Sequence, residues 1–129
     1  CYDEEDGGFY QHVDVDGGMK NPRFMVSDYA GKTAAWDDKI WWVQAEGLYA
    51  LEMSALYNEN ERHYAYFIKM YDYIQSYFRD KKYGEWYSIL KRDGTIRVAD
   101  KGFALKGPYH VPRCLLQSVK LLEIYLNGK

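Results

Sequence analysis

Asp3-Glu4-Glu5-Asp6-Gly7-Gly8-Phe9-Tyr10 recurs as Asp80-Lys81-Lys82-Tyr83-Gly84-Glu85-Trp86-Tyr87, and the reading of this repeat decides the fold. The shared pattern is D-x-x-x-G-x-aromatic-Tyr. Each copy continues through a short strand-like run to an Asp-Gly pair, Asp16-Gly17 and Asp93-Gly94, so the offset stays constant at 77 residues. Asp-Gly between two short runs marks a hairpin turn, because Gly accepts positive φ at little cost. After each hairpin come a Lys-containing loop, a second motif and a helix. A unit this long, used twice, points to helix-pair units stacked in a solenoid or a closed ring.

Outward from the repeat, residues 7–15 and 85–98 read as short β-hairpins. Trp41 to Tyr57 reads as a helix, with Trp42, Ala45, Leu48, Tyr49, Glu52, Ala55 and Leu56 near one face. Glu61 to Phe78 is the clearest helical pattern. Tyr64, Phe67, Ile68, Tyr71, Ile74, Gln75 and Phe78 follow helical spacing, and Tyr66, Met70, Tyr73 and Tyr77 form a second apolar stripe. Pro112 to Leu126 reads as the last helix, with Pro112 in its first turn and Leu115, Val119, Leu122 and Leu126 on one face. Three helices with wide apolar faces and two hairpins make a poor closed core. Residue 1 is Cys rather than Met, and the chain opens directly on the turn-rich segment from Asp3 to Gly18. The expectation is therefore a mainly α arc of a larger helical toroid, with the N-terminal part missing.

Composition narrows the function. Of 129 residues, 47% are hydrophobic and 28% charged, an ordinary globular balance, and the net charge is −2. Lys and Arg are scattered, which argues against nucleic acid. No apolar run approaches the length of a membrane span. Two cysteines, with Cys114 inside an apolar helical pattern, suit a buried thiol and a reducing cytoplasm rather than a disulfide framework. The 14 Tyr, 4 Trp and 5 Phe raise the prospect of a carbohydrate site, since the C–H face of a pyranose stacks on aromatic rings, although most of these rings suit helix packing.

Two motifs carry chemistry. In Lys39-Ile40-Trp41-Trp42-Val43-Gln44-Ala45-Glu46, adjacent tryptophans point to different faces, one toward the core and one toward a cavity. Gln44 and Glu46 are polar within an apolar stretch and need partners if buried; the structural alternative is a carboxylate favoured by the helix dipole. In Lys106-Gly107-Pro108-Tyr109-His110-Val111-Pro112-Arg113, two prolines bracket His110 and predict extended backbone just before a helix. The positive end of a helix dipole disfavours an imidazolium, and a neutral imidazole is what a general base requires. Arg113, one turn in, could grip a hydroxyl or carboxylate. A capping histidine without chemistry is the alternative. His12 and His63 read as surface histidines. No metal spacing, phosphate loop or nucleophile elbow is found; Asp14-Val15-Asp16-Gly17 lacks the Glu that a calcium loop needs at its twelfth position, where Met25 stands.

These motifs, taken with Phe78-Arg79-Asp80, Tyr83-Gly84-Glu85-Trp86-Tyr87, Asp93-Gly94 and Arg113-Cys114-Leu115, fall in an order and spacing that resembles the C-terminal part of the N-acylglucosamine 2-epimerase family, the renin-binding proteins included. The resemblance runs nearly end to end. It implies an (α/α)6 barrel, with residues 1–129 the C-terminal arc of one domain. It implies interconversion of N-acetylglucosamine and N-acetylmannosamine, or a similar monosaccharide pair, by removal and return of the C2 proton. It implies that His110 is one of two catalytic histidines, the other lying upstream of residue 1. Glu46 would orient or charge that imidazole, Trp42 would wall the sugar cavity, and Lys106 and Arg113 would touch substrate. No cofactor is required; a nucleotide activator, seen in some family members, maps to no residue here, and a homodimer is left open. The related cellobiose 2-epimerases place a Trp five residues before the histidine. Leu105 stands there instead, which favours a monosaccharide. Two other readings compete: an aldose–ketose isomerase on the same barrel, and a non-catalytic sugar- or protein-binding module.

Overall fold

The two repeat copies fold into the same turn. In the computed structural model, which describes residues 1–13, 15, 27–29 and 32–128, the Asp3 carbonyl accepts from Gly7 N–H at 2.9 Å while Asp3 N–H donates to the Gly8 carbonyl at 2.8 Å. The Asp80 carbonyl accepts from Gly84 N–H at 3.0 Å, and Asp80 N–H donates to the Glu85 carbonyl at 2.9 Å. In each copy one carboxylate oxygen also accepts the N–H groups two and three residues on. Each turn needs left-handed backbone at its fifth and sixth residues: Gly7 and Gly8 in one, Gly84 and Glu85 (φ 64°) in the other. Gly8 could not be replaced in kind, because a Cβ there would sit 2.7 Å from the Tyr73 ring. Glu85 is free of that crowding and uses its side chain to reach Lys106.

A hairpin of β1 (Ser27–Tyr29) and β2 (Lys32–Ala34) was not anticipated. β3 (Lys39–Ile40) leads directly into α1 (Trp41–Tyr57), which matches the expected span. α2 (Glu61–Tyr73) starts on Asn60, whose side chain accepts from His63 N–H. It ends in a π-helical turn, Ile74–Phe78, and this wider turn delivers Phe78 into the core beside Tyr73 and Trp86. β4 (Ile89–Leu90) and β5 (Ile96–Val98) form the expected hairpin around Asp93-Gly94 and join β3 in a three-stranded antiparallel sheet, with β4 in the middle. The strands expected within residues 7–15 are not formed by the described residues there. A single bridge from Tyr2 to Phe9 takes their place, and Asp16-Gly17 lies outside the described residues. α3 (His110–Asn127) closes the chain.

α1 is the central helix, packed on α2 and on α3. Its buried side chains, Trp41, Gln44, Ala45, Leu48, Glu52 and Ala55, fall on one helical stripe. Around it lie Met70, Tyr73, Ile74, Phe78, Trp86, Ile89, Leu90, Val111 and Cys114. α1 and α3 run parallel, because Trp42 meets His110 at their starts and Ala45 meets Cys114 one turn on.

On α2 and α3 the buried faces differ from those expected. α2 buries Met70, Tyr73, Ile74 and Phe78, whereas Tyr64, Ile68 and Tyr71 are exposed. α3 buries Val111, Cys114 and Leu121, leaving Leu115, Val119, Leu122 and Leu126 exposed. The reason is that both helices are apolar on two sides, and periodicity cannot rank two apolar stripes. The exposed faces agree with the expectation that this arc needs neighbours.

Gln44 joins the first turn to the central helix. Fully buried on α1, its side-chain carbonyl accepts Phe9 N–H at 2.7 Å and its amide donates to the Phe9 carbonyl at 2.8 Å. A carboxamide offers both a donor and an acceptor, so it pairs with a peptide edge as a strand would. Gln44→Ala should lower stability by about 2–3 kcal/mol, read from urea denaturation, because it strands two partly buried backbone groups. Gln44→Glu should not restore it, since a carboxylate cannot donate.

Candidate active site

The start of α3 is held against the second turn of α1 by two small buried residues. Ala45 and Cys114 have no exposed surface, and the Cys114 thiol donates to the Ala45 carbonyl at 3.0 Å. Glu46 follows Ala45 and Arg113 precedes Cys114, so their side chains emerge together beside His110, the first residue of α3. His110 Nδ1 lies 2.7 Å from Glu46 Oε1. The same oxygen accepts from Arg113 Nη2. The Trp42 ring lies 5.8 Å from the imidazole, tilted by 39°. Trp41, next to it, is buried in the core, whereas Trp42 is only partly buried.

An ionised carboxylate only accepts, so the short contact to Glu46 places a proton on His110 Nδ1, and in the neutral imidazole Nε2 is then the lone-pair nitrogen. Partial burial pushes the Glu46 carboxyl up, but the hydrogen bonds from Arg113 and His110 outweigh it and hold the group below the usual glutamate range. The carboxylate is therefore ionised near neutral pH. About a third of each of the three side chains remains exposed, which leaves the cluster open on one side.

Not every expected residue joins the cluster. The Lys106 ammonium is buried and has three acceptors within the fold: the Glu85 carboxylate, the Trp86 carbonyl at 2.9 Å and the Lys101 carbonyl at 2.8 Å. An ammonium has three protons, so none is left for a substrate, and the expected substrate contact gives way to a structural tie. α3 begins at His110 rather than Pro112, and Tyr109 before it is helical (φ −94°, ψ −68°), so the extended approach expected between the two prolines is replaced by a first helical turn. Pro112 is still within that turn, where an N–H has no partner to lose. His12 is exposed, and His63 is half-buried with Nδ1 2.6 Å from Ser54 Oγ, a link between α1 and α2. Cys114 is buried as expected, and burial pushes its thiol up to about 11, so it is a packing residue rather than a nucleophile. Asp3, Glu5 and Asp6 bring carboxylate oxygens within 4.8 Å of one another, but Arg92 binds all three and fills the space a cation would take.

The packed helices and their hairpins define a class of fold, the helical barrel. The chain belongs to the N-acylglucosamine 2-epimerase family, whose family model matches residues 2–114. The N-acylglucosamine 2-epimerase of Bos taurus is 31% identical over 126 residues, covering 98% of this chain and 27% of the relative. A solved D-mannose isomerase superposes with a TM-score of 0.75 at 23% identity, covering 93% of this chain and 27% of that one. The cellobiose 2-epimerase of Spirochaeta thermophila DSM 6192 gives 0.63 at 24% identity, covering 72% and 24%. This chain is accordingly an arc of the (α/α)6 barrel and spans about a quarter of the length of the curated relatives it matches. Among the described residues, no helix is long and apolar enough to cross a membrane.

Further along the α1–α3 interface lies a group that sequence reasoning placed on the buried face but gave no role. Glu52 is 1% exposed, and neither of its carboxylate oxygens meets a hydrogen-bond partner; the nearby Ser118 hydroxyl is also unpaired. Burial pushes the Glu52 carboxyl up, and the proximity of Ser118 offsets this only in part. A carboxyl whose pKa is raised in the folded state favours folding while protonated. Its contribution is full below the usual glutamate range and is lost as pH rises through the folded value. Glu52→Gln should therefore be more stable than the parent at pH 8, where the buried carboxyl must ionise and the amide need not. That gap should narrow toward pH 4, as measured by denaturant melts at both pH values.

Proposed function

We propose that this chain is the C-terminal arc of a sugar 2-epimerase that interconverts N-acetylglucosamine and N-acetylmannosamine, or a similar monosaccharide pair. The observation that carries the reading is the 2.7 Å contact between His110 Nδ1 and Glu46 Oε1. It supports a reading in which Nε2 is the base that meets a carbon acid. With the sugar ring open, the aldehyde at C1 acidifies the C2–H bond. Nε2 takes that proton, the C–H electron pair becomes the C1–C2 double bond, and the carbonyl oxygen gains the negative charge. Protonation of C2 from the opposite face gives the epimer, so a second acid/base group is required across the planar intermediate. In this reading the remainder of the barrel supplies it, and the second catalytic histidine implied by the family resemblance is the natural choice. Glu46 fixes the imidazole tautomer, Arg113 neutralises Glu46, and Trp42 flanks the imidazole as one wall of the sugar cavity.

Side-chain bases suffice for this chemistry, because conjugation with the carbonyl makes the proton removable without a metal or redox cofactor. Exposed Leu105, where a stacking Trp would serve a second sugar ring, supports a monosaccharide substrate. Two free cysteines, one exposed and one buried, suit a cytoplasmic protein.

An aldose–ketose isomerase is the second reading, favoured by the structural likeness to D-mannose isomerase. It would use the same proton abstraction but return the proton to C1. A ketose product would establish isomerase, and a C2 epimer would establish epimerase.

In a full-length family protein carrying this segment, His110→Asn should reduce solvent deuterium incorporation at C2 of N-acetylglucosamine by roughly a hundredfold or more. Unchanged exchange would remove His110 from the mechanism. Residues 1–129 alone, which hold one of the two required bases, should bind sugar weakly and show no turnover in the same assay.

A further inference from the structure

Tyr109 closes the active-site cluster into a ring of contacts. It caps α3, and its carbonyl accepts Arg113 N–H at 3.1 Å. Its aromatic ring meets the His110 imidazole edge-to-face, with centroids 4.9 Å apart and planes at 82°. The Arg113 guanidinium carbon lies 4.9 Å from the centre of the same ring. Arg113 and His110 in turn converge on one oxygen of Glu46. The circuit runs from Tyr109 to His110, to Glu46, to Arg113 and back to Tyr109. Within this arc the Tyr109 side chain is 62% exposed, so here its contacts serve orientation more than burial.

We propose that Tyr109 is a positioning residue: its ring holds the imidazole and the guanidinium against Glu46 and so fixes the direction in which His110 Nε2 points. The claim about orientation stands on the geometry of this chain; its consequence for turnover rests on the epimerase reading above. The ring acts through its face and edge rather than its hydroxyl. Phe at position 109 should therefore serve as well as Tyr, whereas an aliphatic side chain of similar bulk should not. Edge-to-face aromatic contacts and exposed cation–π contacts each bias a conformation by roughly two- to tenfold.

The test is nitrogen-15 NMR of the histidine rings in a full-length family protein carrying this segment, with His110 assigned by the disappearance of its signals in His110→Gln. The parent and Tyr109→Phe should show a protonated Nδ1 and an unprotonated Nε2. Tyr109→Leu and Tyr109→Ala should raise the minor Nε2–H tautomer by about three- to tenfold, with far-UV circular dichroism unchanged. Tyr109→Leu retains apolar bulk, so it decides the matter if Tyr109→Ala fails to fold. Parent-like imidazole signals in folded Tyr109→Leu would overturn the proposal, and so would a shift of equal size in Tyr109→Phe. In the full-length protein, Tyr109→Leu should lower kcat for C2 exchange with KM little changed, and Tyr109→Phe should match the parent. If exchange survives His110→Asn while the imidazole signals still respond to Tyr109, the epimerase reading fails and the positioning role stands.

Discussion

The close approach of α1 and α3 at Ala45 and Cys114 is the constraint on which the site depends. Both residues are small and fully buried, and a thiol-to-carbonyl hydrogen bond of 3.0 Å joins the helices there. Because the helices are parallel, their starts lie side by side. The residues flanking the contact, Glu46 on one helix and Arg113 on the other, are therefore carried to the same height as His110. A larger side chain at either position would push the helices apart, and the 2.7 Å contact between imidazole and carboxylate leaves no slack to absorb the shift. The thiol matters here as a small, weakly polar spacer.

The starts of these two helices are set by the repeat. In each copy a lysine ahead of the helix is bound to the preceding turn. Buried Lys39 reaches Asp3 at 2.8 Å, and buried Lys106 reaches Glu85. Arg92, from the second copy's hairpin, crosses to Asp3, Glu5 and Asp6 of the first. Burial pushes the Asp3 carboxyl up, yet the hydrogen bonds from Arg92 and then Lys39 outweigh it and hold the group far below the usual range. A buried ion pair of this kind gives little net stability over an apolar substitute, but breaking one member is costly, so it specifies position more than it adds strength. Its effect is to fix where each inner helix begins, and therefore where Glu46 and His110 emerge.

Much of this was legible in the sequence. The 77-residue offset correctly marked two equivalent turns because both must adopt left-handed backbone at fixed places, and Gly7, Gly8 and Gly84 advertise it. The span of α1 was readable from its apolar spacing, and the meeting of Glu46, His110, Arg113 and Trp42 followed from the family resemblance rather than from any spacing. The covered faces of α2 and α3 were not readable. On α3, exposed Leu115, Leu116, Val119 and Leu122 are all apolar and offer no contrast with the buried stripe of Val111, Cys114 and Leu121. Lys106 was misread for a similar reason. A lysine ahead of a helix looks available until the turn carrying Glu85 and Trp86, and Lys101 after β5, are folded around it. Tyr109 drew no role because an aromatic residue before a helix has no spacing signature of its own.

The arrangement of charge around the imidazole sets Arg113 against Glu46. A lone carboxylate beside His110 would attract any available cation and could turn toward solvent. Arg113 meets the Glu46 charge on the same oxygen that receives the imidazole N–H, so what the carboxylate takes from His110 is one hydrogen bond in one direction. The guanidinium is charged in any case, and its hydrogen bond to Glu46 raises its pKa further. Each member thus fixes the next: Arg113 holds Glu46, Glu46 holds Nδ1, and in the proposed reaction Nε2 is what remains to face the carbon acid. A base that must act on one face of a flat intermediate needs this directional restraint as much as it needs basicity, because a rotated imidazole would present a protonated nitrogen to the carbon it should deprotonate.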